Sequence, residues 1–177
     1  LYISVFLYLP LFSQSLSFHQ LTVQDGLAQS EVRTVLGDSR GFIWAGTQGG
    51  GLSRYDGASF VNFSTRLGLP DNRVNALWED EDGRLWIGTD KGLAYYEGNG
   101  IERWGERRLN VKALHQDTSG QLWMGTASGL YRKTAQSVSR LPKPSRQVNA
   151  IFTDKSGHTW LGSREVLWEL VNDVPRQ

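Results

Sequence analysis

Hydrophobic positions in this chain fall in short stretches separated by glycine- and aspartate-rich breaks, and nowhere keep the three-and-four spacing of an amphipathic helix. Four stretches begin with an apolar pair three residues apart: Val32 and Val35, Val74 and Leu77, Val111 and Leu114, Val148 and Ile151. Apolar and β-branched residues at this density predict a short buried strand. A break of the form Asp-x-x-Gly follows each, at Asp38 and Gly41, Asp80 and Gly83, Asp117 and Gly120, and Asp154 and Gly157. That spacing suits a type I turn, with aspartate bonding local backbone and glycine in the fourth position. Three positions on stands a tryptophan in a second predicted strand: Trp44, Trp86, Trp123 and Trp160. A glycine two residues later leaves room for another backbone to approach.

A third strand opens at Leu52, Leu93 and Leu130, each preceded by glycine, whereas the fourth copy departs with Val166 before Leu167. Residues 59–63 alternate as a fourth strand. The tryptophans lie 42, 37 and 37 residues apart. Four short strands per unit, repeated at that period with turns between them, predict an all-β fold of β-propeller blades. A β-sandwich is the structural competitor, but sandwiches do not normally repeat one sequence about every 40 residues.

Residues 1–12 break the pattern, being apolar except for Ser4 and Pro10. They are too short for a spanning helix, which takes about 20 residues, and match the apolar region of a secretory signal. Residues 1–17 are therefore read as signal-peptide-like, against the alternative of a buried strand or core segment. With no initiator Met and no basic leading region, the sequence is expected to start inside its gene product.

Composition narrows the chemistry. No cysteine is present among the 177 residues, which excludes disulfides, thiolate metal sites and cysteine nucleophiles. His19, His115 and His158 leave little material for a histidine metal cluster, and no metal or cofactor is expected. A net charge of +1 gives no general attraction to nucleic acid. The charge is uneven: residues 71–98 sum to −4 and residues 99–147 to +6. The basic stretch, with Arg103, Trp104, Arg107 and Arg108, would attract an anionic polysaccharide or membrane surface, or else form a solvated edge.

The chain from Phe18 through Leu27, together with Gly41–Trp44, Leu52–Gly57 and the Gly68–Val74 linker, resembles the two-component regulator propeller. Such domains are the extracytoplasmic sensor regions of bacterial hybrid histidine kinases and some diguanylate cyclases. The resemblance covers about residues 18–177. It implies four-stranded antiparallel blades in a seven-membered ring, here in part: a leading strand at 18–23, then blades at about 30–64, 72–105, 109–142 and 146–177, the last with three strands. A closed four-bladed ring completed by the leading strand is the alternative. A partial ring is expected to self-associate, as a homodimer or otherwise, through its open edge.

For function, the repeated Asp and Trp residues read as structural, as turn caps and inter-blade packing. The likeness of residues 153–160 to a sialidase Asp-box is a shared turn, since Asp154 stands one residue too far from Gly157. Function on a repeat scaffold belongs to positions that differ between units. The loops leading into the first strands carry unlike polar groups, of which Glu31, Arg73, Asn110 and Arg146 are the candidate ligand-binding residues. An acidic or hydroxylated ligand, such as a carbohydrate, would suit them. No catalytic motif appears, and residues 49–51 read as a hairpin turn, not a phosphate cradle. The resemblance implies a non-catalytic ligand sensor on the periplasmic or extracellular side, anchored to a membrane through parts outside this chain. An exported lyase or hydrolase and a plain interaction scaffold are the alternatives.

Overall fold

In the computed structural model, the described residues are 18–105, 108–134, 138–171 and 174–176. The signal-like segment 1–17 and Arg107 lie outside them. Four antiparallel four-stranded sheets follow one another along the chain. Blade 1 comprises β1 (Val32–Gly37), β2 (Ile43–Thr47), β3 (Leu52–Tyr55) and β4 (Phe60–Phe63). Blade 2 comprises β5 (Val74–Glu79), β6 (Leu85–Thr89), β7 (Gly92–Tyr96) and β8 (Ile101–Trp104). Blade 3 comprises β9 (Val111–Gln116), β10 (Leu122–Thr126), β11 (Gly129–Lys133) and β12 (Val138–Arg140). Blade 4 comprises β13 (Ala150–Thr153), β14 (Thr159–Gly162), β15 (Leu167–Val171) and β16 (Val174–Arg176). Each sheet is a meander, and the first strands of successive blades lie beside one another. The fold is a β-propeller arc.

The repeated motif explains each blade. Asp80 Oδ1 accepts from the backbone N–H groups of Asp82 (3.2 Å) and Arg84 (2.9 Å), closing the turn between β5 and β6. Its Oδ2 accepts from Trp86 Nε1 at 2.7 Å. The same arrangement recurs at Asp38 with Trp44 (2.8 Å), Asp117 with Trp123 (2.6 Å) and Asp154 with Trp160 (3.1 Å). Trp44, Trp86 and Trp123 are then buried between their own blade and the next. Trp44 meets Tyr96 of blade 2 edge-on, with ring centroids 5.0 Å apart. Truncating a core tryptophan of this kind typically costs about 3–5 kcal/mol.

Two expectations are corrected. No strand forms at 18–23. Thr22 instead caps a 3-10 turn at Val23–Asp25, ended by Gly26 at φ 108°. Ser64 caps an equivalent turn at Thr65–Leu67, ended by Gly68 at φ 106°. The segment before blade 1 is thus another copy of the inter-blade linker, and all four sheets are complete without it. Blade 4 also has its fourth strand, β16, where three strands were expected.

The arc is open. Val74, Val111 and Val148 are fully buried against the preceding blade, whereas the equivalent Val32 is 39% exposed. At the other end, Leu52, Leu93 and Leu130 are at most 3% exposed and the equivalent Leu167 is 61% exposed. Blades 1 and 4 therefore do not close on each other, and the closed four-bladed ring is not formed.

The motif glycine marks where the next blade arrives. A Cβ on Gly88 would lie 2.6 Å from Val111 Cγ1, and one on Gly46 would lie 2.6 Å from Val74 Cγ1. At Gly162, which no further blade covers, the nearest atom would be the Ala150 Cβ at 3.4 Å. Gly88→Ala is expected to lower stability by about 1–3 kcal/mol through overpacking, and Gly162→Ala by a small fraction of that. Urea unfolding of the two variants checks this.

Candidate functional site

The first strands of blades 1 to 3 each carry a bulge at their start. Val32 pairs with Thr47 and Thr34 with Gly46, leaving Arg33 as the extra residue. Asn75 is extra between Val74 and Ala76, and Lys112 between Val111 and Ala113. A bulge re-aims its side chain out of the alternation of the strand. In blades 2 and 3 it takes a polar residue out of a strand buried between blades, and in all three blades it turns that residue to the lead-in rim, where the chain enters each first strand.

These bulge residues build a polar network with the residue that follows the second strand. Arg33 donates to Gln48 Oε1. Asn75 Nδ2 donates to Asp90 Oδ1 at 2.9 Å and to the Val111 carbonyl of blade 3 at 2.8 Å. Lys112 Nζ reaches the same Asp90 Oδ1 at 3.3 Å, and Arg73 lies 3.6 Å from its other oxygen. One carboxylate thus ties blade 2 to blade 3. Burial alone would raise the Asp90 pKa, but the hydrogen bonds from Asn75 and Lys112 and the nearby cations hold it below its ordinary value. Beside it, Lys91 pairs with Asp71 at 2.6 Å.

The residues expected to bind ligand divide. Glu31, Arg73 and Asn110 occupy equivalent positions, each giving its backbone carbonyl to the N–H after a second strand, at Gln48, Asp90 and Ala127. Arg73 alone of the four joins the Asp90 network. Asn110 has a buried Oδ1 with no hydrogen-bond partner. Arg146 stands one position earlier in its repeat, equivalent to Asn72, and pairs instead with Glu165 at 3.3 Å, both well exposed. Asn75, Asp90, Lys112 and Arg33 were not singled out from the sequence. For Arg33, Asn75 and Lys112 the signal is a polar residue directly after the first valine of each unit, at 33, 75, 112 and 149, inside an otherwise apolar strand. Among the described residues no three His, Asp or Glu side chains are grouped as a metal requires.

Charge separates by rim. Setting aside the mid-strand Arg54, Glu102, Arg132, Glu169 and Arg176, the lead-in rim holds eleven Lys or Arg against five Asp or Glu among the described residues. The opposite rim, where the Asp-x-x-Gly turns lie, holds four against nine. On that side a cleft of about 480 Å³ runs between blades 2 and 3 past Asp80, Glu81, Asp82, Arg84 and Gln116. Asp80 is committed there to its turn and Trp86, and Arg84 to Glu97.

Residues 68–91, spanning the blade 2 linker, first turn and second strand, match the family model for the two component regulator propeller. Residues 68–91 carry the two component regulator propeller repeat. The fold is similar to the extracellular domain of a B. thetaiotaomicron protein described as a hybrid two component system (TM-score 0.77, 22% identity, 89% of this chain and 24% of that one). It is also similar to the extracellular domain of a B. thetaiotaomicron protein described as a one component system (TM-score 0.71, 25% identity, 81% of this chain and 21% of that one). A catalytically inactive virginiamycin B lyase from Staphylococcus aureus shares the fold alone (TM-score 0.65, 14% identity, 80% of this chain and 52% of that one). The propeller repeats here span less than a quarter of the two extracellular domains. No curated protein matches the chain.

The Asp90 network makes a pH-dependent contribution to stability. A carboxyl with a lowered folded pKa stabilises the fold above its unfolded pKa, and that contribution is lost as pH falls through the folded value. Asp90→Asn is expected to destabilise the chain at neutral pH, leaving Lys112 and Arg73 uncompensated. The gap to the unsubstituted chain should shrink on acidification through the carboxylate range. Urea midpoints measured from about pH 7 down to about pH 3 check this.

Proposed function

We propose that this chain is the ligand-sensing, non-catalytic propeller segment of an extracytoplasmic receptor in two-component signalling. The match of residues 68–91 to the two component regulator propeller carries the reading. The likeness to extracellular domains of bacterial signalling proteins supports it and favours a periplasmic or extracellular location. The parent protein is read as a histidine kinase or diguanylate cyclase, anchored to the membrane by parts outside these repeats.

The open faces favour a larger ring. Each end blade presents the apolar surface that its inner counterparts bury, so further blades of the same pattern would fit both ends. Ligand binding at the lead-in rim would act through the lateral ties between blades. Asp90 is held by groups from blades 2 and 3, so a ligand that draws off Arg73 or Lys112 shifts the balance between neighbouring blades.

Reading the coding sequence on from Gln177 tests this directly. Further Asp-x-x-Gly-x-x-Trp units, a hydrophobic span and a kinase or cyclase domain are expected. A stop codon close after Gln177 would contradict the receptor reading.

A further inference from the structure

We propose that the cleft between blades 2 and 3, on the rim of the Asp-x-x-Gly turns, binds a short peptide with free ends. Glu81 and Asp82 hold its ammonium, and Lys133 holds its carboxylate. The cleft is present because this seam lacks the ties of its neighbour. Between blades 1 and 2, Ser39 donates its backbone N–H and its hydroxyl to Glu79, both at 2.7 Å. Arg40 reaches the Gly83 carbonyl at 3.5 Å, and Tyr96 packs edge-on against Trp44. Those side chains close that seam.

One blade on, the equivalent positions carry other chemistry. Glu81 stands for Ser39, Asp82 for Arg40, Gln116 for Glu79 and Lys133 for Tyr96. Gln116 turns back and donates to the Gly120 carbonyl of its own turn at 2.9 Å. The position of Lys133 holds Tyr55, Tyr96 and Leu170 in the other blades, so this cation is peculiar to one seam. Positions that differ between units are where a repeat scaffold carries function.

The result is a gap of about 480 Å³ lined by both signs of charge. Lys133 Nζ lies 5.2 Å from the ring centroid of Trp86 and 5.0 Å from that of Trp104, which holds the ammonium in place. Arg84 is taken by Glu97, and Asp80 by its turn and Trp86. Glu81 and Asp82 line the same cleft as Lys133, and among the described residues no ion pair joins them across it. A molecule with an ammonium at one end and a carboxylate at the other satisfies both sides through charge-assisted hydrogen bonds. Gln121 favours a peptide between those ends. Its Nε2 donates to the carbonyls of Leu122 (3.0 Å) and Lys133 (2.8 Å), which leaves its Oε1 to accept a peptide N–H. The site lies on the rim away from Asp90, and the inference does not rest on the receptor reading.

The test is calorimetric titration of the chain with trialanine at neutral pH and low salt. Trialanine acetylated at its N-terminus, trialanine amidated at its C-terminus and free alanine are the comparisons. Trialanine is expected to bind with a dissociation constant below about 1 mM. Blocking either end should weaken it by about fivefold or more. Lys133→Gln should weaken trialanine as much as amidation does, and amidation should then cost nothing further. Glu81→Gln with Asp82→Asn should in the same way remove the effect of acetylation and keep that of amidation. Lys91→Gln, on the lead-in rim, should alter binding less than about twofold. Far-ultraviolet circular dichroism establishes that each variant is folded, with Lys133→Met, which keeps an apolar stem on the rings, replacing Lys133→Gln if that one is not. Absence of binding, blocked peptides that bind as tightly as the free one, or equal binding of free alanine would each overturn the proposal. Such failure would leave the receptor reading standing, since that rests on what the gene encodes.

Discussion

An indole has one N–H, and in each of the four motif tryptophans that N–H finds its partner in the turn that precedes it. The aspartate of Asp-x-x-Gly accepts from the turn backbone through one oxygen and from the tryptophan through the other. One side chain therefore folds the first hairpin of the blade and orients the residue that joins it to the next. A hydrogen bond to a charged acceptor contributes about 1.5–3 kcal/mol, and a buried N–H left unpaired costs about 1–3 kcal/mol. Each motif tryptophan thus enters the gap between blades with its polar atom already satisfied.

The rest of the architecture follows from blades that are incomplete alone. Each presents two apolar faces, and each core cluster is assembled across a blade boundary. Trp44 and Leu52 of blade 1 pack with Leu77, Ile87 and Tyr96 of blade 2, and Trp86 and Leu93 of blade 2 pack with Leu114 and Met124 of blade 3. The motif glycine admits the neighbouring first strand to the closest approach. Lateral packing is reinforced at the lead-in rim by Asp90 and at the opposite rim by Ser39, whose backbone N–H and hydroxyl donate to Glu79 of blade 2. Polar groups thus tie neighbouring blades at both rims, blades 2 and 3 at one and blades 1 and 2 at the other.

The blades were legible in the sequence because turn chemistry and the tryptophan recur at fixed spacing, and both have local causes. The N-terminal segment was misread because Thr22–Leu27 repeats the capped turn of Ser64–Leu69, a likeness visible only once the turn is seen in three dimensions. The bulges were not legible: whether Asn75 points into a core or towards the rim depends on its pairing with a strand ten residues away. Arg146 stands one position earlier in its repeat than Glu31, Arg73 and Asn110, because the linkers differ in sequence and register counts from the first valine. Charge was read in linear blocks, −4 and then +6. Folding divides it by strand end instead, which gathers cations from several blades on one rim.

Unfolding of Asp80→Ala beside Asp154→Ala tests the central claim most directly. The two aspartates make the same turn and the same bond to tryptophan, but only Trp86 is covered by a further blade. Asp80→Ala should lose about 2 kcal/mol or more. Asp154→Ala should lose less than half as much, because Trp160 can turn its N–H to water. Equal losses would contradict the account, showing that the aspartate stabilises its turn alone and contributes nothing to the joining of blades.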